Sequence, residues 1–397
     1  MFKKSLIAVA ALSALAGSAM AADVQIYGRI DTGLVYQNVD VDNKLNGVSV
    51  DDESSFQMSS GHNTGSRFGI KGAEDLGNGV KVGFVLENGF DSDDGSFDSN
   101  GDRMFGREAL IYLEGDFGKV GFGRMGILNS TAGSYAIGNF TPFGTGWGSV
   151  GDQRLAFGAK FETRYSNMIS YRSPEFAGFQ VHAQYSFGET NADKTEVEGK
   201  TTTDRYYAIG ATYKNGGLNL IGIVDSVNEK HVGQTEEPDD TLRVTLGGSY
   251  DFGVVKPYLA AAYFKDARMS SWLDVYGHES FAPEGSTVNT ASAVKNCNWD
   301  GYGVALGATA PLVGGTALVT IGYMDAEAQD FYDGTTEIGA DLTRYFLGVG
   351  YQYPLSKRTY VYADAGYFKD EMDYGLKSWT DNEPDGYQAA VGLVHQF

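Results

Sequence analysis

Short segments of the chain alternate between apolar and polar residues, and this pattern recurs up to the last residue. In the segment that begins at residue 24, one face carries Val24, Ile26, Ile30, Leu34 and Tyr36, and the other carries Gln25, Tyr27, Arg29, Asp31 and Gln37. A period of two indicates β-strands. The polar face is too polar for a protein core, and the apolar face is too continuous for water. The pattern therefore predicts strands with lipid on one side and water on the other.

The first residues are typical of an export signal. Lys3 and Lys4 form a basic start, residues 5–16 are apolar, and residues 19–21 read Ala-Met-Ala, which matches a signal-peptidase motif. The apolar stretch is too short for a membrane-spanning helix. We therefore predict a signal peptide over residues 1–21 and one mature domain over residues 22–397.

Composition excludes several classes of protein. The net charge of −21 argues against a nucleic-acid partner, which would require a basic surface. Cys297 is the one cysteine, so the chain has no intramolecular disulfide framework. The five histidines lack the spacing of metal ligands, and we predict neither a metal nor another cofactor; they are His62, His182, His231, His278 and His395.

Short turns and long polar loops divide the alternating segments. Glycine, asparagine or proline marks seven turns, at residues 75–79, 115–118, 173–178, 214–217, 251–253, 311–315 and 354–358. Eight longer polar segments lie at about 38–64, 91–103, 126–156, 189–203, 228–240, 266–298, 327–338 and 369–384. These connections predict an all-β, antiparallel, up-and-down transmembrane barrel of 16 strands. A barrel of about 16 strands encloses an aqueous channel rather than a solid core.

Five segments carry more specific patterns than alternation. They read Val-Gln-Ile-Tyr-Gly-Arg-Ile-Asp from residue 24, Ser-Arg-Phe-Gly-Ile-Lys-Gly-Ala-Glu-Asp-Leu-Gly from residue 66, Tyr-Arg-Ser-Pro-Glu-Phe-Ala-Gly-Phe from residue 171, Leu-Ser-Lys-Arg-Thr-Tyr from residue 355 and Gly-Leu-Val-His-Gln-Phe from residue 392. Together they resemble the Gram-negative general porin family of trimeric outer-membrane barrels, over the whole predicted mature chain.

The resemblance implies an architecture, a function and a set of partners. The short turns would be periplasmic and the long loops extracellular, and small hydrophilic solutes would diffuse passively through the lumen. The chain would form a homotrimer in contact with outer-membrane lipids and lipopolysaccharide. Phe397 would be part of the signal that the outer-membrane assembly machinery reads. No enzymatic activity is expected.

The resemblance also implies that the third long loop folds into the lumen. Residues 126–151 contain no charged side chain but include Phe140, Pro142, Phe143 and Trp147, which favours packing against the barrel wall. The alternative is that this loop covers a subunit contact or the outer surface. In the family that the chain resembles, this loop often presents acidic groups to the constriction, and Asp152, which follows the segment, is the candidate to supply one here.

Alternation assigns a set of charged residues to the inner face of the wall. They are Arg29, Asp31, Arg67, Lys71, Lys81, Arg164 and Arg172, with Tyr165, Ile169 and Tyr171 on the lipid face opposite the last two arginines. A cation on the lipid face near the membrane centre costs about 2–4 kcal/mol, so these side chains should point inward. The resemblance implies that several form a basic side of the constriction. Alternatively, some lie near strand ends and extend to the membrane surface.

The sequence gives opposing indications of ion selectivity. Basic walls favour anions, whereas the acidic outer loops attract cations to the channel mouth. Fields from exposed loops are screened within ~8 Å at physiological salt, so we expect a weak preference for anions or none. The acidic segment 91–102 could also bind divalent ions loosely at the lipopolysaccharide.

Two other functions fit parts of the sequence. A substrate-selective channel of the same fold would use Tyr27, Tyr206 and Tyr258 as an aromatic track for sugars. An outer-membrane hydrolase would use His62 and His231, which lie in loops with aspartates nearby. General passive diffusion is the preferred interpretation.

Overall fold

The computed structural model describes residues 24–40, 53–97, 103–144, 146–148, 163–188, 205–228, 239–267, 298–329, 332–333, 336–337, 339–374 and 383–397. The predicted signal peptide, Asp152, His231, His278 and Cys297 lie outside these residues. The described part contains the strands β1 (Gln25–Asp40), β2 (Glu53–Ser60), β3 (Arg67–Gly77), β4 (Val80–Gly89), β5 (Glu108–Gly115), β6 (Gly118–Gly126), β7 (Arg164–Arg172), β8 (Phe179–Ser186), β9 (Arg205–Asn215), β10 (Leu218–Asn228), β11 (Thr241–Tyr250), β12 (Lys256–Ala267), β13 (Asn298–Leu312), β14 (Gly315–Gln329), β15 (Tyr332–Asp333), β16 (Thr336–Glu337), β17 (Ala340–Pro354), β18 (Thr359–Tyr374) and β19 (Asp385–Gln396).

Sixteen of these strands pair into a closed antiparallel ring. The ring runs β1, then β3 to β14, then β17 to β19, and it closes where β19 pairs with β1 from Arg29↔Gln396 to Asp40↔Asp385. The short strands β15 and β16 pair with each other outside the ring. The predicted sixteen-stranded barrel is therefore confirmed.

The connections alternate between the two rims of the barrel, as predicted. All seven short turns join neighbouring strands at one rim, and several have a glycine with positive φ, such as Gly79 at 76° and Gly253 at 81°. Both ends of the ring meet at the same rim. There the backbones of Gly28 and Phe397 exchange two hydrogen bonds of 3.1 Å.

The two faces of the wall differ as the alternation predicts. Large apolar side chains such as Ile26 and Leu246 point outward and are mostly exposed, at 73% and 61%. Aromatic residues extend this outer surface near the short turns, where the rings of Phe179 and Tyr213 lie 4.3 Å apart. The outer surface therefore suits contact with lipid. In the described part of the chain, no helix is long and apolar enough to cross a membrane.

The wall strand next to β1 is interrupted and consists of two pieces, β2 and β3. The first part of β1 pairs with β3, whereas its second part pairs with β2 from Thr32↔Ser60 to Val39↔Glu53. The predicted loop over 38–64 is therefore too long, because pairing with β1 extends the wall through β2. The intervening residues 61–66 leave the wall at Gly61, whose φ is 69°, and they contribute buried side chains to the barrel interior.

Candidate functional site: a constriction inside the barrel

The described residues that follow β6 lie inside the barrel, as predicted; we call residues 127–144 and 146–148 the inner loop. Its side chains cover inward-facing glycines of the wall: Tyr135 covers Gly121, Ile137 covers Gly210, Phe140 covers Gly247, Pro142 covers Gly307, and Phe143 with Trp147 covers Gly350. These glycines belong to β6, β9, β11, β13 and β17. The inner loop therefore follows the inner wall from β6 to the far side of the barrel.

The inner loop packs tightly because the wall lacks side chains beneath it. A Cβ atom at Gly247 would lie 2.3 Å from Cδ1 of Phe140, and one at Gly307 would lie 2.6 Å from Cδ of Pro142. Such distances are possible only for glycine. Phe140 and Trp147 are 2% and 3% exposed. Burial of one such side chain contributes about 1.5–3 kcal/mol, so apolar packing holds the loop on the wall.

Two buried carboxylates fix the first half of the inner loop. Asn129 donates from Nδ2 to Oδ2 of Asp225 at 2.9 Å, and Arg243 donates to both oxygens of Asp225 at 3.0 and 2.7 Å. Farther along, the backbone N–H and the hydroxyl of Ser134 donate to Glu108 at 2.6 and 2.9 Å. The loop is thus tied to the wall at β10 and at β5.

A second network fixes the end of the inner loop. The N–H of Trp147, a residue with a φ of 73°, donates to the carbonyl oxygen of His62 at 2.6 Å. Nε2 of His62 lies 2.9 Å from Oδ1 of Asp364. Gln388 donates from Nε2 to Oδ2 of Asp364 at 2.9 Å and to the carbonyl oxygen of Trp147 at 3.3 Å. The loop end is therefore bound to the interrupted second wall strand and to β18 and β19.

Asp31 anchors the interruption rather than facing channel water. Its carboxylate accepts hydrogen bonds from the N–H groups of Asn63 and Thr64 at 2.8 and 2.7 Å and from the hydroxyl of Tyr362 at 2.9 Å. Its exposed fraction is 0%. Asp31 points inward as alternation predicts, but assigning it to the channel lining is wrong because these partners enclose it.

Beside the inner loop lies a cavity of about 500 Å³. One side is formed by Arg29, Arg67, Arg107 and Arg164, which we call the arginine cluster. The other side is formed by residues 130–133, Asn139 and residues 142–144 of the inner loop. The described residues that line the cavity thus include four arginines and no carboxylate.

Polar contacts hold the guanidinium groups of the cluster in place. Arg29 and Arg67 both donate to Oγ1 of Thr64, at 3.1 and 3.0 Å, and Arg67 also donates from Nε to the carbonyl oxygen of Gly65 at 2.9 Å. Arg164 donates from Nη1 to Oγ1 of Thr163 at 3.1 Å. These acceptors are uncharged, so these contacts position the guanidinium groups without neutralising them.

Glu87 provides a carboxylate behind the cluster. Its Oε1 lies 2.8 Å from Nε of Arg107 and 3.8 Å from Nη1 of Arg67. Its Oε2 accepts a hydrogen bond from the hydroxyl of Tyr27 at 3.0 Å. Glu87 therefore compensates part of the positive charge of the arginine cluster from a position that does not line the cavity.

Tyr135 is the buried phenol of the inner loop. Burial raises the pKa of Tyr135 above its usual value of 10.0. Its hydroxyl has no hydrogen-bond partner among the residues that the structure describes, and Nζ of Lys119 lies 5.7 Å from its ring centroid. The phenol of Tyr135 therefore stays neutral at physiological pH.

The predicted charged residues occupy two levels of the inner wall. Arg29, Arg67 and Arg164 come together in the cavity. Lys71, Lys81 and Arg172 lie on strand segments next to the short turns and are not among the cavity residues. Within the inner loop, Pro142 and Phe143 line the cavity, whereas Phe140 and Trp147 do not. What each of these residues contributes to conduction stays a prediction.

Alternation fails at the start of β7. It assigns Tyr165 to the lipid face, but this ring is buried in the interior and stacks on Tyr206 with centroids 5.0 Å apart. The backbone of Asn167 has a φ of 52°, and the pairing of β6 with β7 shifts register between Gly123 and Met125. This irregularity allows the Tyr165 side chain to turn inward although the neighbouring Arg164 also faces the cavity.

Three residues of the site escaped the sequence analysis. The inward direction of Glu87 was predictable from the sequence, because Val82, Phe84 and Leu86 occupy the lipid-facing positions of β4 and Glu87 lies on the opposite face. Glu108 lies at the first position of β5, and Arg107 precedes that strand, where parity has no meaning. Neither residue carries a local signal that distinguishes it from other loop charges.

Two features of the described residues bear on metal and acid–base chemistry. Within the described ranges, His, Cys, Asp and Glu side chains form no group of three that could hold a metal ion. His62 is 8% exposed, and its ring bonds with Asp364 as part of the network at the loop end. His62 therefore takes part in the contacts that hold the end of the inner loop.

Comparison with known proteins gives consistent results. The family model described as Gram-negative porin matches residues 8–373. An outer membrane porin protein of Bordetella pertussis is 36% identical over 384 residues, covering 93% of this chain and 94% of that protein. Outer membrane porin protein 32 of Delftia acidovorans is 31% identical over 410 residues, covering 100% of both.

Solved structures share the fold. The structure of an anion-selective porin from Comamonas acidovorans has a TM-score of 0.62 and 24% identity, covering 95% of this chain and 100% of that one. An OmpF structure from Salmonella typhi has a TM-score of 0.55 and 18% identity, covering 95% and 98% of the two chains. At these identities the similarity concerns the barrel architecture.

Proposed function

The chain belongs to the Gram-negative porin family, and we propose that it conducts small anions in preference to cations. It is an outer-membrane porin, through which small hydrophilic solutes diffuse passively. Its wall of sixteen strands is wide enough for a water-filled lumen. The sequence alone predicts a weak preference for anions or none, and the proposal makes the preference for anions definite.

The observation that carries the proposal is the arginine cluster beside the inner loop. Four guanidinium groups line one side of the cavity, and the facing loop segment contains no charged residue. Charges at a narrow point with low-dielectric walls act on a passing ion with little screening. The acidic extracellular loops act over longer distances through salt water, so their attraction for cations should count for less.

A salt gradient across a planar bilayer tests this preference. With more KCl on one side, an anion-preferring channel gives a zero-current potential of the sign set by chloride. We expect that sign for the wild-type protein and a smaller potential for Arg29→Gln. A potential of the sign set by potassium would contradict the proposal. An absence of any conductance from folded protein would contradict passive diffusion itself.

We also propose a homotrimer, on the basis of family membership. The outer surface of the barrel would contact outer-membrane lipids, and its extracellular rim would contact lipopolysaccharide. Phe397 ends the closing strand and pairs with Gly28, which is compatible with a role in recognition by the assembly machinery. Cross-linking of the native protein should give a trimer, and Phe397→Ala should lower the assembled amount in cells but still refold in detergent.

We propose that the protein has no catalytic activity. His62, one of the two histidines that suggested a hydrolase, is buried and bonds with Asp364 and Gln388. A substrate at the outer rim would have no access to it. Hydrolytic activity of the pure protein that disappears in His62→Gln would contradict this proposal.

The aromatic track for sugars loses one of its three members. Tyr206 is 0% exposed and donates a hydrogen bond to Asp225, so it cannot touch a solute. Tyr27 and Tyr258 are partly exposed on the inner wall, and each has a lysine ammonium near its ring, at 4.9 and 5.1 Å. Such rings suit a charged solute better than a neutral sugar.

A further inference from the structure

The ring of Tyr27 lies on the inner wall immediately below the arginine cluster. Tyr27 precedes Arg29 by two residues on β1 and shares its inward face, so the two Cα atoms are about 7 Å apart along the strand. A Cβ atom at Gly69 of β3 would lie 2.7 Å from Cζ of Tyr27, so the ring covers this glycine. The ring is partly exposed and therefore accessible from the lumen.

The position of this ring is fixed by its neighbours. The hydroxyl of Tyr27 donates to Oε2 of Glu87 at 3.0 Å, and Glu87 in turn pairs with Arg107 at 2.8 Å. The phenol is thus held by a carboxylate whose charge an arginine already compensates. Nζ of Lys71 lies 4.9 Å from the ring centroid. The aromatic surface consequently has cations on both sides, Arg29 toward the extracellular rim and Lys71 toward the periplasmic rim.

This arrangement matches the chemistry of a particular class of solute. Guanidinium groups recognise carboxylates through paired hydrogen bonds, and a fixed aromatic ring stacks on another ring. We propose that Arg29, Arg67 and Tyr27, with Lys71, form a subsite for aromatic carboxylates on the inner wall. This inference rests on the proposed function, since the solute must first enter an anion-conducting lumen.

The chain contains a natural control for this subsite. Tyr258 on β12 also faces inward, with Nζ of Lys256 5.1 Å from its ring centroid. The partners of Tyr258 on the neighbouring strands are Ser249 of β11 and Gly307 of β13, so no arginine occupies the adjacent positions of the wall. Tyr258 therefore reproduces the pairing of a ring with a lysine but lacks the neighbouring guanidinium groups.

The test measures how two monovalent carboxylates reduce the chloride current of the reconstituted wild-type protein in planar bilayers. Benzoate and cyclohexanecarboxylate have the same charge and similar size, but only benzoate has an aromatic face. We expect the concentration that halves the current to be about fivefold lower for benzoate than for cyclohexanecarboxylate, a difference that corresponds to one aromatic pair. Tyr27→Leu should abolish this difference. Tyr27→Phe, which keeps the ring, and Tyr258→Leu should both preserve it.

Several outcomes would overturn the subsite. Equal half-blocking concentrations for the two carboxylates in the wild type, with normal chloride current, would do so and leave the proposed function intact. Equal loss of the difference in Tyr27→Leu and Tyr258→Leu would also overturn it. The wild-type comparison needs no variant, and Lys71→Gln, which should weaken block by benzoate, provides a second test if Tyr27→Leu does not fold. A wild type without conductance would instead remove the proposed function.

Discussion

Glu87 and Arg107 form a buried ion pair in which Nε of the arginine lies 2.8 Å from Oε1 of the carboxylate. Their side chains are 11% and 7% exposed. Arg107 lines the cavity and Glu87 lies behind it, so the carboxylate reduces the positive charge of the arginine cluster and at the same time holds Arg107 in place. A change at Glu87 should therefore affect both selectivity and stability.

We predict that Glu87→Gln increases anion preference and lowers stability. The amide removes one negative charge behind the cluster but keeps the volume of the side chain. Loss of a hydrogen bond to a charged group costs about 2 kcal/mol. The zero-current potential in a KCl gradient should shift further toward the chloride potential, and urea unfolding of the refolded barrel should begin at lower concentration. An unchanged potential would show that Glu87 does not influence the permeating ion.

We predict that Gly247→Ala displaces the inner loop. The new Cβ atom would lie 2.3 Å from Phe140, so the loop must move toward the lumen and narrow it. Overpacking of this kind costs about 1–3 kcal/mol. Single-channel conductance should fall. The matched control is Gly222→Ala, whose Cβ atom would meet only Cδ2 of Leu246 at 3.3 Å on the lipid side and should leave conductance unchanged.

We predict that Asn129→Ala loosens the start of the inner loop. The change removes the 2.9 Å hydrogen bond to Asp225, which still keeps its contacts with Arg243. Single-channel records should show more frequent current fluctuations at a given voltage, while mean conductance stays close to that of the wild type. Asn215→Ala, in a short turn, is the control. Equal noise in the two variants would contradict an anchoring role for Asn129.

We predict that Tyr135→Phe stabilises the barrel and that the gain increases at alkaline pH. The hydroxyl is buried without a partner among the described residues, so its removal should contribute about 1 kcal/mol at pH 7. Burial raises the pKa of Tyr135 in the folded state, whereas the unfolded phenol ionises near pH 10. Below about pH 10 the phenol is neutral in both states, so pH does not change its effect on stability. As the pH rises past about 10, ionisation stabilises the unfolded chain and the free energy of unfolding of the wild type falls.

The phenylalanine variant lacks this alkaline loss. Between pH 7 and pH 11 its advantage in the free energy of unfolding should therefore grow by about 1.4 kcal/mol, the value of one pH unit beyond the unfolded pKa. Urea unfolding at both pH values measures this difference. A variant that is less stable than the wild type at both would mean that the hydroxyl makes a favourable contact.

Local sequence patterns were sufficient for the architecture of the wall. A strand between lipid and water must alternate, and a reversal at its end requires residues such as Asn78 and Gly79, so strands and turns are visible without tertiary information. The inward direction of Arg29 and Arg67 follows from the same parity. The aromatic, uncharged composition of the inner loop likewise indicated burial against the wall.

Contacts between distant parts of the chain were not visible in the sequence. Asp31 has the parity of a lining residue, but partners as remote as Tyr362 enclose it. Arg107 joins the arginine cluster from outside a strand, and Tyr165 turns inward because of the left-handed backbone at Asn167. Each of these positions depends on tertiary geometry that a period of two does not encode.

We propose that the narrowest part of the open lumen lies between the arginine cluster and the inner loop. Bilayer conductance of Arg164→Cys and Lys81→Cys, both in a Cys297→Ser background, tests it after reaction with a bulky neutral thiol reagent. Arg164 lines the cavity, whereas Lys81 lies near a short turn. We predict that the reagent removes most of the current of Arg164→Cys and little of that of Lys81→Cys. An equal, small reduction in both variants would contradict the claim.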